Sequence, residues 1–184
     1  RLTLHVSHFH QVLDFAIETG AELVLLPRFE MPKVLAAMRR KPPTQFFGVP
    51  TMFAAINALP DDKVPDLSMI ICCISGGAPL PLDVRQVFEL RTGARVVEGY
   101  GLSEGASVQT LNLPGAQRPG SAGRALPHAR LRIADDGEIL IAGSLFSGYL
   151  GDATAVVEWW PSGDLGRIDE HGYLHVSGRK KNLL

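Results

Sequence analysis

The apolar residues of this 184-residue chain change their period part-way along, and that change limits the fold more than any other feature. Up to about residue 110, short continuous apolar runs (Leu23–Leu26, Phe46–Val49, Met69–Ile74) alternate with stretches in which apolar residues recur at helical spacing, first Val34, Leu35 and Met38, then Val84, Val87 and Phe88. Runs of this kind predict strands buried on both faces, as in parallel sheets covered by helices. Pro81 and Gly93 predict the start and the end of the second helix. From Asn112 to Gly120 the composition shifts to Pro, Gly, Asn and Gln, and beyond it Leu131 and Ile133 alternate with Arg130 and Arg132. A period of two predicts half-buried antiparallel strands. Asp136-Gly137 and Asp169–Gly172 supply the turns that lead into Ile139 and Ile141 and into Tyr173–Val176. The expected class is α/β: a parallel-sheet unit over 1–115 followed by a small antiparallel β unit over 116–178.

A hydrophobic content of 46% is enough to bury a core in a chain of this length. With 18 basic against 19 acidic residues and a net charge of −1, no overall field favours nucleic acid or anionic lipid, so any phosphate binding has to be local. Cys72 and Cys73 are adjacent in an apolar run, where a strand would point them to opposite faces; they read as core thiols of a reducing compartment. No apolar stretch reaches the roughly 20 residues of a membrane span, and no signal segment opens the sequence. A soluble, cytoplasmic protein is expected. Arg1 at one end and Leu183-Leu184 at the other read as cuts within a longer protein.

Two loops carry chemistry. Ser75-Gly76-Gly77-Ala78-Pro79-Leu80-Pro81 follows one apolar run and precedes a helix, so glycine backbone can approach a ligand at the carboxyl end of a parallel strand. Glu98-Gly99-Tyr100-Gly101-Leu102-Ser103-Glu104 ends the next run with a flat aromatic, a hydroxyl and a carboxylate in one turn. A base can stack on Tyr100, Ser103 can donate to a phosphate oxygen, and Glu104 can hold a magnesium ion. Gly163-Asp164-Leu165-Gly166 and Gly178-Arg179-Lys180-Lys181-Asn182 follow further along.

These elements, in this order and with Gly48-Val49-Pro50-Thr51-Met52 upstream, resemble the adenylate-forming superfamily of acyl-CoA synthetases, luciferases and peptide-synthetase adenylation domains. The resemblance runs over essentially the whole chain and is closest to fatty and aryl acyl-CoA ligases. It implies that Gly77, Ala78 and Pro79 and the segment Glu98, Gly99, Tyr100, Gly101, Leu102 and Ser103 form the walls of an adenine site, with Tyr100 the stacking ring. It implies that Asp164 receives both ribose hydroxyls, a task for which the two oxygens of a carboxylate suit a vicinal diol. Arg179 is then a second nucleotide contact, Ser103 and Glu104 the catalytic pair at the phosphates, and Glu104 the magnesium carboxylate. Ser103 stands where threonine is commoner and keeps the hydroxyl. His5, Gly48 and Val49 correspond to an acyl pocket. Lys181, within 179–184, corresponds to the hinge of a further C-terminal domain. His8 and His10 lack Cys or carboxylate partners at ligand spacing and read as ordinary histidines.

The implied activity is ATP-dependent conversion of a carboxylic acid, a fatty acid first and an aryl acid next, to acyl-AMP, followed by thioester formation with coenzyme A. ATP, Mg2+ and coenzyme A are the expected cofactor and co-substrates. Transfer to a carrier protein, and a non-catalytic nucleotide-binding relative, are the alternatives; the residues leave oligomeric state open. The Ser/Thr/Gly-rich phosphate loop with its lysine and the distal adenylation lysine are not found in these 184 residues, so the chain by itself is expected to adenylate little. A dinucleotide-binding oxidoreductase is disfavoured because no G-x-G-x-x-G follows an early strand.

Overall fold

Strands β1 (Gln45–Gly48) and β2 (Cys72–Ser75) lie side by side and parallel, in register from Gln45 opposite Cys72 to Gly48 opposite Ser75. The computed structural model that shows this describes residues 12–13, 16–113, 115–151 and 157–183. Its contacts divide into two units, Arg1–Val97 and Glu98–Leu184.

In the first unit, α1 (Met31–Arg40) has Pro32 in its first turn, where a missing N–H removes no helical bond, and Arg39 and Arg40 in its last, where cations favour the helix dipole. Helix α2 (Pro50–Asn57) connects β1 towards β2, as a parallel pair requires, and buries Met52, Phe53 and Ile56. Phe53 is fully buried. It stands edge-on to Phe46 at 5.7 Å and to Phe88 at 4.9 Å, the last from α3 (Leu82–Thr92). Gly48 makes the tight end of β1 possible: a Cβ there would lie 3.0 Å from one atom of the Phe53 ring and 3.1 Å from one of Phe46. Leu67, Ile70, Cys73, Leu80 and Val96 complete this core. Helix α3 ends on left-handed Gly93, as the sequence predicts.

Two expected strands come out differently. Leu23–Leu26 forms no strand, and Leu25 is 60% exposed. A strand exists through backbone pairing with a neighbour, and none of the described strands pairs with this run. The Met69–Ile74 run enters its strand only at Cys72; Met69 and Ile71, on the turn before it, project into solvent.

Strand β3 (Val96–Tyr100) leaves the first core at Val97, and from Gly99 it pairs antiparallel with β4 (Thr110–Leu111), which pairs in turn with β5 (Arg124–Ala125). The contact boundary therefore falls inside β3, earlier than the compositional break at 115. The second unit continues as an antiparallel meander of β6 (Ala129–Ile133), β7 (Glu138–Gly143), β8 (Trp160–Ile168) and β9 (Leu174–Arg179). Ile139, Ile141 and Leu174 are its buried centre, with Tyr100, Leu102, Leu131, Ile133 and Trp160 packed around them. Gly137, at positive φ, closes the expected hairpin between β6 and β7. No described helix is long and apolar enough to cross a membrane.

The ladder between β7 and β8 is irregular. Glu138 faces Leu165 while Leu140, two residues on, faces Pro161, four residues back. The surplus backbone of β8 is the Ser162-Gly163-Asp164 stretch, which bulges from the ladder with Gly163 at positive φ.

Candidate functional site

Asp164 sits on that bulge and is 6% exposed. Its Oδ2 accepts a 2.8 Å hydrogen bond from the Tyr100 hydroxyl, and its Oδ1 lies 2.8 Å from Nε of Arg179, the residue directly opposite it on β9. Three motifs separated in sequence thus meet at one carboxylate within the second unit. Both bonds are charge-assisted and short. Each carboxylate oxygen accepts more than one hydrogen, so these contacts leave capacity for further donors such as a diol. Burial pushes the Tyr100 phenol well above its ordinary pKa; Asp164 adds to the rise, while Ser162 and Arg179 oppose it. Tyr100 is therefore a donor at any physiological pH.

The loop after Tyr100 is held by buried side chains. A Cβ on Gly101 would run into the Ser107 carbonyl, so only glycine fits there. Ser103–Gly105 form one 3-10 turn, followed by Ala106 and Ser107 at φ 56° and 101°, two non-glycine residues in left-handed backbone. Gln109, 2% exposed, staples the turn: its Oε1 accepts the Leu102 N–H at 3.0 Å and its amide donates to the Gly105 carbonyl. Ser103 is exposed and Glu104 partly buried.

Glu104 Oε1 accepts the Tyr149 hydroxyl at 2.6 Å, and its carbonyl accepts the Phe146 N–H at 2.8 Å. Phe146, Tyr149 and Trp160 form an edge-to-face trio with centroids 4.9 to 6.1 Å apart. That trio fixes the direction of the Glu104 carboxylate. Trp159 faces outward instead, beneath Arg130 and Arg132. Among the described residues no group of three or more His, Cys, Asp or Glu is placed to hold a metal by itself. A lone oriented carboxylate fits magnesium, which binds through one or two carboxylates and takes its other ligands from water and phosphate.

The remaining sequence candidates lie elsewhere. Gly77, Ala78 and Pro79 form an exposed turn of the first unit after β2, Gly77 at positive φ, and the Ser75 hydroxyl before them is buried without a partner among the described residues. Glu98 and Gly99 are strand residues of β3. Gly48 ends β1 and Val49 caps α2. A largely apolar cavity of about 420 Å³ in the first unit is lined by residues that include Leu23, Val34, Met38, Phe46 and Phe47, and Gly48 and Val49 are not part of that lining. His5 lies outside the described residues. Lys181 is exposed in a 3-10 turn, Lys180–Leu183, that follows β9. Sequence reasoning passed over Gln109, Glu138, Tyr149 and Phe146. Glu138, Tyr149 and Phe146 act through tertiary contacts that no local pattern announces, and Gln109 acts on the turn just before it.

Comparison with known proteins agrees with the motifs. The family described as AMP-binding enzyme matches residues 3–150. A long-chain-fatty-acid–CoA ligase of Bacillus subtilis (strain 168) is 35% identical over 98% of this chain and 35% of its own length. A feruloyl-CoA synthase of an Amycolatopsis species is 34% identical over 90% of this chain and 37% of its own. Among solved structures, ATP-bound MatB from Rhodopseudomonas palustris is similar with a TM-score of 0.87 at 29% identity, over 98% of this chain and 39% of that one. O-succinylbenzoate coenzyme A synthetase from Bacillus subtilis, in complex with ATP and magnesium ion, gives 0.82 at 27%, over 98% and 40%. The chain thus spans little more than a third of the length of these two curated relatives.

Proposed function

This chain belongs to the AMP-binding enzyme family, and from that premise we propose that it is part of an acid–thiol ligase that makes acyl-AMP and then an acyl-coenzyme A thioester. The observation that carries the reading is the meeting of Tyr100, Asp164 and Arg179 at one buried carboxylate. In the first half-reaction a substrate carboxylate oxygen bonds to the α-phosphorus of ATP and the bond to the bridging oxygen breaks, releasing pyrophosphate. In the second, a thiolate sulfur bonds to the acyl carbon and AMP leaves with the electron pair.

In this account the chain's residues position and neutralise. Asp164 receives the ribose hydroxyls, and Arg179 and Tyr100 hold it in the direction that lets it do so. The Tyr100 ring is the stacking face for the base, and Ser103 donates to a phosphate oxygen. Glu104, oriented by Tyr149, would hold Mg2+, which supplies charge neutralisation at the phosphates.

The acid is a fatty acid in our reading, with an aryl acid second. The apolar cavity beside Phe46 and Phe47 supports an apolar acyl group, and the relatives named for fatty and ferulic acids support the pair of choices. A cytoplasmic location is proposed with it, since coenzyme A and ATP are the co-substrates. The test is pyrophosphate exchange into ATP by the full gene product across a panel of fatty and aryl acids, followed by thiol capture with coenzyme A or a phosphopantetheine carrier. Exchange that depends on a fatty acid, and capture by coenzyme A, are expected. Exchange without capture by coenzyme A would move the protein to the carrier-protein class, and no exchange with any acid would leave a non-catalytic relative.

A further inference from the structure

Lys180, between the Asp164 partner Arg179 and the hinge candidate Lys181, has its ammonium between two carboxylates. Nζ lies 2.6 Å from Asp136 Oδ2 and 2.7 Å from Glu138 Oε2. Glu138 is 9% exposed, and its other oxygen, Oε1, accepts the Gly163 N–H at 2.9 Å. Asp136 closes the arrangement from the hairpin turn, its Oδ1 accepting the Glu138 N–H at 3.1 Å. One buried carboxylate therefore ties two things at once: the bulge that presents Asp164, through the residue before it, and the first residue of the turn that contains Lys181.

The chemistry of this cluster requires the cation. A carboxylate as buried as Glu138 is costly to leave without an opposite charge, and the N–H of Gly163 alone does not neutralise it. Gly163 is at positive φ in an irregular stretch of ladder, where backbone pairing is weakest and a side-chain acceptor has most to fix. The hydrogen bonds from Lys180 to Asp136 and Glu138 hold its ammonium well above the usual lysine pKa, so the cation persists across the physiological range.

Resting on the nucleotide reading above, we propose that Lys180 and Glu138 are positioning residues, holding the Asp164 bulge in its nucleotide-binding direction and making Lys180 the stationary end of the hinge. Backbone rotation then begins at Lys181 and leaves the Asp164 carboxylate undisturbed. Neither residue touches substrate; both act through Gly163 and Asp164.

The test uses Lys180→Met, which removes the charge and keeps most of the stem, Lys180→Arg, which restores it, and Glu138→Gln, which keeps an acceptor for Gly163. Two readouts are taken on the full gene product. Amide hydrogen exchange at Gly163 and Asp164 requires no activity, and the ATP KM is compared with the acid KM. We expect Lys180→Met to speed exchange at these amides and to raise the ATP KM, each roughly tenfold, the loss typical of one charge-assisted hydrogen bond. The acid KM should stay within twofold, Lys180→Arg should recover most of both effects, and adding Glu138→Gln to Lys180→Met, which removes the unpaired buried charge and keeps the acceptor for Gly163, should recover part of both. Wild-type exchange rates at Gly163 and Asp164 in a folded Lys180→Met protein would overturn the clamp whether or not the enzyme adenylates. Faster exchange with an unchanged ATP KM would reduce the cluster to a structural brace. A wild-type protein that adenylates nothing would instead defeat the functional reading, and the amide exchange would still decide whether the clamp exists.

Discussion

The Tyr100 hydroxyl donates to Oδ2 of Asp164 at 2.8 Å although 64 positions separate the two residues. Tyr100→Phe keeps the ring for stacking and removes only this bond, so the carboxylate loses one of the two contacts that orient it. AMP affinity, measured by titration calorimetry, should fall by roughly 1 to 2 kcal/mol. Tyr100→Ala should fall further because the stacking face goes as well. Equal affinity in wild type and both variants would remove Tyr100 from the site.

Asp169 gives a pH dependence of known sign. Its side chain is 10% exposed, and burial alone would raise its pKa. Hydrogen bonds from His175, Tyr173 and His171, with the Arg118 charge beside it, instead hold the carboxyl well below the usual range. Because the folded pKa is depressed, the unfolded chain takes up the proton first. The stability Asp169 contributes is complete above about pH 5 and is lost as pH falls through the carboxylate range toward the folded value. The gap in Tm between wild type and Asp169→Asn should therefore be widest near pH 7 and narrow steadily towards pH 3. A gap that stays constant would contradict it.

Phe53 and Phe88 are the largest fully buried side chains of the first unit among the described residues, and Phe53 meets aromatic rings from β1 and α3. Phe53→Ala should cost about 3 to 5 kcal/mol in urea unfolding, since the surrounding rings cannot close the space without leaving their rotamers. Phe53→Leu should cost much less. A loss under about 1 kcal/mol for the alanine variant would mean that this core repacks freely.

The α/β character of the first half was legible because Pro81, Gly93 and the Phe46 run each carry a local signal, and Asp136-Gly137 announced its hairpin in the same way. Leu23–Leu26 misled because hydrophobicity reports burial only when a neighbour exists to pair with. The candidate site was named by its chemistry and was illegible as geometry. The motifs named Tyr100, Asp164 and Arg179, but the bulge that turns Asp164 inward depends on a register slip opposite Glu138, which no run of residues encodes by itself. Tyr149 and Lys180 were missed or read as bland for the same reason, since each works through a partner remote in sequence, whereas Gln109 works locally on a turn whose shape the residues alone do not announce.

Lys181, exposed in the turn after β9, is proposed as the pivot between half-reactions. Hinge residues absorb backbone rotation, so the consequence of a change there comes through φ and ψ more than through charge. Lys181→Pro fixes φ near −65°. Acyl-AMP formation should survive while thioester formation drops by at least roughly tenfold, and Lys181→Ala should leave both steps nearly intact. Single-turnover assays of each step in the full gene product make the comparison. Equal slowing of both steps, or of neither, would return Lys181 to an ordinary solvated turn.

The central claim is that Asp164 holds the nucleotide of an adenylating enzyme. The measurement that tests it most directly is the ATP dependence of acid-stimulated pyrophosphate exchange in the full gene product, wild type against Asp164→Ala, at saturating acid. Loss of two charge-assisted hydrogen bonds to a ribose is worth roughly 2 to 4 kcal/mol. The account predicts a kcat/KM for ATP lower by about 30-fold to 1,000-fold, with the order of preference among acids unchanged. An Asp164→Ala protein that uses ATP like the wild type, or one whose acid preference shifts while its ATP dependence does not, would contradict it.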